Sequence, residues 1–139
     1  MKTENLFAYL FPLCSTVFLG YLTVGISLGV LPAYVHQQLH FNNLMVGIVI
    51  GLQSAATLAT RHFSGRLADT RGSRPAVRAG IVLSAIAGVF YLFSYFLSGQ
   101  AITSLVMLIA GRMLLGCGES LLITGALSWG IGLLGHERS

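Results

Sequence analysis

From Asn5 to Val35 the chain carries no charged residue, and no other feature restricts its fold as strongly. An α-helix rises 1.5 Å per residue, so about 20 mostly apolar residues cross the roughly 30 Å hydrocarbon core of a bilayer. A soluble core could not hide that much apolar surface here. Only 9% of the 139 residues are charged, against about 25% in soluble domains, and the mean hydropathy is +0.80. Lipid is the solvent that fits. The run is also far longer than the roughly 7–15 apolar residues of a cleavable signal sequence, so the first helix is expected to be retained.

Three further apolar segments follow. The expected spans run from about Phe7 to Leu31, stopped by Pro32, then from about Leu44 to Ser64, Val77 to Leu97 and Ile102 to Leu127. The glycine-rich stretch after Leu127 is expected to fray or end in the membrane interface, and a fifth span does not fit before Ser139. The fold class is therefore an all-α membrane protein with four transmembrane helices. Glycines are frequent, and Gly25/Gly29 and Gly47/Gly51 have the small-xxx-small spacing of close helix contacts. Cys14 and Cys117 both fall in apolar stretches and read as packing residues.

Arginine placement orients the bundle. The connection between spans two and three, with its flanks, holds Arg61, Arg66, Arg71, Arg74 and Arg78, while the Pro32–Asn43 and Ser98–Ala101 connections hold no lysine or arginine. The positive-inside rule puts the arginine-rich connection, and with it both termini, on the cytoplasmic side. The net charge of +4 then reflects topology, and nucleic acid is not an expected partner. No metal or cofactor is expected either. His36 and His40 have a metal-pair spacing, yet they sit in a connection without a nearby carboxylate and read as solvated. No nucleophile–base or paired-carboxylate set occurs at usable spacing, which argues against an enzyme.

Two local features carry a functional signal. The first is Gly65-Arg66-Leu67-Ala68-Asp69-Thr70-Arg71-Gly72-Ser73-Arg74. Glycine at 65 permits close approach of a neighbouring helix, glycine at 72 permits a tight reversal, and Asp69 can pair with arginines or a helix N-terminus. On charge alone the segment reads first as a solvated basic loop that obeys the positive-inside rule. The second feature is Arg112, about 15 Å into the fourth span counted from Ile102 and so near the midplane, with Glu119 two turns further on. A charge at that depth marks either a functional site facing a cavity or a structural ion pair or anchor. Pairing between the two within one helix would be strained, so each is expected to face a polar partner on another helix. In the second span Gln53, Thr57 and Thr60 form a polar stripe, suited either to lining a path or to bonding a neighbouring helix.

The Gly65–Arg74 segment resembles the signature loop of the major facilitator superfamily, G-x-L-a-D-r-x-G-r-k, between that family's second and third helices. Gly65, Leu67, Ala68, Asp69, Gly72 and Arg74 match; Thr70 and Ser73 depart from the usual basic residues, and Arg71 restores part of the charge. The fourth span resembles the family pattern l-x-x-x-R-x-x-q-G-x-g through Leu108, Arg112, Gly116 and Gly118, with Leu115 in place of the glutamine. Gln53, Ala56-Thr57, Arg61 and Gly116–Ser120, taken with the loop, are similar to YfcJ/YhhS-type bacterial inner-membrane transporters.

The resemblance implies the partial N-terminal half of a transporter fold. It further implies movement of a small solute by alternating access with proton coupling, in a bacterial inner membrane. Asp69 would hold a conformation-dependent contact with the other half. Arg112 and Glu119, with Gln53 and Thr57, are candidate substrate or proton-coupling groups. The expected partners are the lipid bilayer, a small-molecule substrate with protons, and the remaining helices of a transporter, because four helices hold one three-helix repeat and one helix of the next. The competing reading is a non-transporting four-helix membrane subunit or adaptor, which would require a stable partner.

Overall fold

The computed structural model describes residues 3–135, with side chains described for 11–132. The chain termini, expected on the cytoplasmic side, lie outside these residues. Four long helices follow one another: α1 (Thr3–Ala33), continued by a π turn over Tyr34–Gln38, α2 (Asn43–Arg71), α3 (Ser73–Phe96) and α4 (Ala101–Gly135). Each is long and apolar enough to cross a membrane.

The helices overrun the expected spans, α1 beginning at Thr3 and α3 at Ser73, and three further differences have a physical reason. Pro32 does not stop α1, which runs through it to Ala33. Neighbouring structure and local π adjustment make proline tolerable in membrane helices. Here the widened turn follows at once, with Leu39 N–H bonding Tyr34 O at 3.1 Å and Phe41 N–H bonding Val35 O at 3.1 Å. Gly65 does not end α2 either. A single interior glycine costs only about 1 kcal/mol, and the Arg, Leu and Ala that follow are good helix formers. The 29-residue α2 ends instead at Gly72, whose φ of +92° no other residue adopts readily. Finally, α4 continues past Leu127 to Gly135, since an apolar surrounding offers its backbone no alternative to helical hydrogen bonds. At the start of α2, the Asn42 side chain caps the helix by accepting from Met45 N–H at 3.0 Å.

Helix α4 is the hub. It lies antiparallel to α3, parallel to α2, and more loosely beside α1. In the most apolar window of α4, 44% of residues are buried; in that of α1, 6% are. Five glycines of α3 and α4 stand at the contacts: Gly80, Gly111, Gly116, Gly118 and Gly125. A methyl group on Gly116 would collide with the Gln53 carbonyl, and one on Gly80 would come within 2.7 Å of Gly118 O and Leu122 N. By contrast, Gly25, Gly29, Gly47, Gly51 and Gly65 have nothing within 4 Å of that position. The close-contact roles read from their spacing are therefore not realised among these four helices, because spacing alone does not say which face meets a neighbour.

Two apolar clusters complete the packing. One, at the end of the bundle near the π turn, is built on Leu31, Val35, Leu39, Val49, Leu105 and Leu108. The other joins Leu13, Val77 and Ala126 at the opposite end, with Val17 and Trp129 against it. A polar clasp reinforces the first: Tyr34 Oη donates to Ser94 O at 3.0 Å, and the Ser94 and Ser104 hydroxyls lie 2.9 Å apart.

Candidate functional site

Gln53, Thr57, Arg112 and Glu119 converge on one seam between α2 and α4. Helical periodicity on α2 places Gln53 and Thr57 on the same face, and Gly116 lets that face come against the α4 backbone. Glu119 Oε2 accepts a hydrogen bond from Gln53 Nε2 at 2.9 Å. The Thr57 hydroxyl stands 3.0 Å from Gln53 O, 3.1 Å from Gly116 O and 3.4 Å from Glu119 Oε2; its single proton serves one of them at a time. Thr60, the third member of the stripe, turns back to its own helix at Ala56 O, 2.7 Å away. One turn on, Ser64 and Ser120 bond across the same interface at 2.9 Å.

Arg112 is sealed in the protein, with 1% of its surface exposed. Its Nε donates to Val49 O on α2 at 3.3 Å, while Nη1 has no hydrogen-bond partner. Two more buried polar atoms lack partners, Gln53 Oε1 and the Tyr91 hydroxyl on α3. Tyr91 neighbours Arg112, and its ring packs on Gly111, the residue before it. A buried charge held by one long hydrogen bond is costly unless further polar groups satisfy it, and Tyr91 is the nearest such group on α3. The arrangement leaves hydrogen-bonding capacity in the middle of the seam.

Glu119 differs from Arg112 in access. It is half-buried and also borders a cavity of about 320 Å³ between α1, α3 and α4, with Thr16, Gly20, Ser84 and Leu122. This carboxylate therefore touches α2 on one side and open space on the other. Arg112 and Glu119 do not meet; seven residues of helix separate them by about 10 Å.

The Gly65–Arg74 residues lie apart from the seam, at the end of the bundle where α2 passes into α3. Gly65 and Leu67 are half-buried within α2, Asp69 and Arg71 are exposed on its last turn, Gly72 makes the reversal, and Arg74 is exposed at the start of α3. Arg74 lies over the Trp129 ring, 5.2 Å from its centroid. Among the described residues no group of three metal-ligating side chains occurs. His36 is held in the π turn, its Nδ1 2.9 Å from Phe41 O.

Sequence reasoning missed Tyr91 and the Ser64–Ser120 and Tyr34–Ser94–Ser104 contacts. Each is an isolated polar residue in an apolar span, and that was the available signal. Which of many such residues pair across helices depends on register.

The sequence that builds these four spans is matched by a family model. The Major Facilitator Superfamily model covers residues 13–138. The chain belongs to the major facilitator superfamily. It is a multi-pass membrane protein of that family, with four candidate spans, and not an enzyme. Similar proteins include an uncharacterized MFS-type transporter of Salmonella typhimurium, 46% identical over 94% of this chain and 34% of that protein. An uncharacterized MFS-type transporter of Pseudomonas aeruginosa is 44% identical over 88% of this chain and 30% of its own length. One of Burkholderia pseudomallei is 42% identical, covering 90% and 31% respectively. The chain thus spans about a third of the length of the curated relatives it matches. No solved structure matches it significantly.

Proposed function

We propose that this chain forms the first four helices of a secondary transporter that moves a small solute across a bacterial inner membrane by alternating access, coupled to protons. The arginine-rich α2–α3 connection faces the cytoplasm in this reading, and the remaining helices of the transporter close the path. The observation that carries it is the seam itself. Glu119, an ionisable group within a membrane span, is bonded to Gln53 on α2 at 2.9 Å and open to a cavity on its other side. Intramembrane ionisable residues are costly and mark substrate or proton pathways. Loss of the charge on Glu119 would weaken its hold on Gln53, because a hydrogen bond to an ionised acceptor is stronger than one to a neutral acceptor.

Arg112 supplies the second group. Its Nη1 is free to bond a carboxylate or hydroxyl once the seam loosens, and Tyr91 stands beside it to share that ligand. Asp69 takes the conformational role. An acid on the last turn of a helix faces the negative end of the dipole, at a cost of about 0.3–1 kcal/mol. A contact with the other half of the transporter in one of its states would offset that cost. The test is solute flux in a transporter that carries this chain together with the remaining helices. Arg112→Ala should abolish flux while leaving the protein in the membrane at normal amounts, and unchanged flux at normal amounts would contradict the assignment.

A further inference from the structure

Three buried polar atoms have no hydrogen-bond partner among the described residues: Arg112 Nη1 on α4, Gln53 Oε1 on α2 and the Tyr91 hydroxyl on α3. These helices already enclose all three, so a helix packed around the outside would not reach them. An unsatisfied buried donor or acceptor bears its full desolvation cost. Three at one junction call for a common remedy.

The atoms come together for reasons of register. Arg112 Nε donates to Val49 O at 3.3 Å, and within an α-helix that carbonyl also accepts from the N–H of Gln53, one turn on. The guanidinium therefore stands at the foot of the Gln53 side chain. Gln53 Nε2 is committed to Glu119 Oε2 at 2.9 Å, and the two ends of a planar amide diverge, so Oε1 is turned away from that carboxylate. Tyr91 comes in from α3 with its ring against Gly111. Its hydroxyl is close enough to Arg112 to interact with it, yet lacks the geometry of a bond. Polar groups that stop just short of bonding are commonly bridged.

Donor and acceptor capacity selects the occupant. Nη1 can only donate, Oε1 can only accept, and the hydroxyl can do either. An anion would suit Nη1 and the hydroxyl but would set acceptor against acceptor at Oε1. A cation would meet the guanidinium charge. A direct Nη1–Oε1 bond would leave the hydroxyl unbonded. A neutral molecule that both donates and accepts fits all three, and water is small enough for a packed interior.

We propose that one buried water joins Arg112 Nη1, Gln53 Oε1 and the Tyr91 hydroxyl. It accepts from Nη1, donates to Oε1 and makes its third bond to Tyr91; buried waters typically make about three. The water ties α2, α3 and α4 at a single point. Through the Gln53 amide it also connects the sealed arginine to Glu119, which Arg112 does not touch. The inference rests on the seam described above, and a solute carboxylate reaching Arg112 would have to replace this water. It is separable from transport, because the water belongs to the closed seam whether or not a solute enters.

Double-mutant cycles on the unfolding of the purified chain in detergent provide the test. Tyr91→Phe removes one hydroxyl, and Gln53→Met removes the amide at similar volume. The two side chains share no direct bond, so the bridge expects their effects on the unfolding equilibrium constant to couple by about threefold, the usual strength of one polar contact between membrane helices. Tyr91→Phe and Thr57→Val should not couple, since the Thr57 hydroxyl bonds elsewhere in the seam. Independent effects of Tyr91→Phe and Gln53→Met overturn the proposal. Equal coupling of Tyr91→Phe to Thr57→Val also overturns it, by showing a general loosening of the seam. A structure of the unmodified protein at a resolution that shows ordered water needs no variant to fold. A water within about 2.7–3.2 Å of all three atoms supports the bridge, and a direct Nη1–Oε1 bond or no water at that point overturns it.

Discussion

Helix α4 meets α2 and α3 backbone to backbone, whereas it meets α1 through side chains. Beside α2 and α3, Gly80, Gly116 and Gly118 leave no room for a methyl group. Beside α1, an added methyl group would stand at ordinary van der Waals distance from a leucine side chain, 3.6 Å from Leu122 at Gly20 and 3.8 Å from Leu13 at Gly130. Polar contacts divide the same way. Gln53–Glu119, Thr57–Gly116, Ser64–Ser120 and Arg112–Val49 tie α2 to α4, while Ser15, Thr16 and Thr23 of α1 bond only their own helix. In lipid there is no hydrophobic drive to bring helices together, so close packing and interhelical hydrogen bonds decide which of them form a unit. By that criterion α2, α3 and α4 form one body, and α1 joins it chiefly at its C-terminal end, through Leu31 and the π turn that carries Val35 and Tyr34.

The largest expected effect on that difference comes from filling a close contact. Gly116→Val should destabilise the α2–α4 packing by about 1–3 kcal/mol or more, as overpacking does; unfolding of the purified protein in detergent is the measurement. A stability close to that of the unmodified chain would mean the two helices do not approach this closely. A smaller effect separates the polar part of the seam. A double-mutant cycle on Gln53→Ala and Glu119→Ala should give a coupling of about 0.6 kcal/mol, the usual value for a hydrogen bond between membrane helices. Zero coupling would remove the Gln53–Glu119 bond from the account. The smallest effect belongs to α1. Gly25→Ala and Gly29→Ala meet nothing within 4 Å, and stability should stay within about 0.5 kcal/mol of the unmodified value. A large loss at either would join this stretch of α1 to the packed body.

Much of this organisation was legible before the fold was described, and the limits were specific. Hydropathy located all four helices, because a bilayer demands length and apolarity from any span. It misjudged their ends at Pro32, Gly65 and Leu127, since the usual helix breakers lose force where the backbone has no water to bond. The Gln53–Thr57 stripe was visible as polar residues at helical spacing and Glu119 as a charge within a span, yet the sequence left open whether they faced a path or bonded a neighbouring helix. The structure has Gln53 and Glu119 bonded, with Glu119 at a cavity edge as well. Tyr91 escaped notice because its partner is a register fact: α3 runs antiparallel to α4 and brings residue 91 level with 111. The glycine pairs failed for the same reason. Gly25/Gly29 and Gly116/Gly118 are alike as composition and differ only in what the fold puts opposite them.

The central claim is that the α2–α4 seam serves transport and not packing alone. Its most direct test is solute flux through the transporter carrying Glu119→Gln, with protein amount and thermal stability measured on the same preparation. Glutamine keeps the shape and can still accept from Gln53 and Thr57, but it cannot exchange a proton. The account predicts that coupled flux is lost while membrane content stays at the unmodified level and stability falls by no more than about 0.6 kcal/mol. Coupled flux at the unmodified rate would contradict it and leave Glu119 as a packing residue.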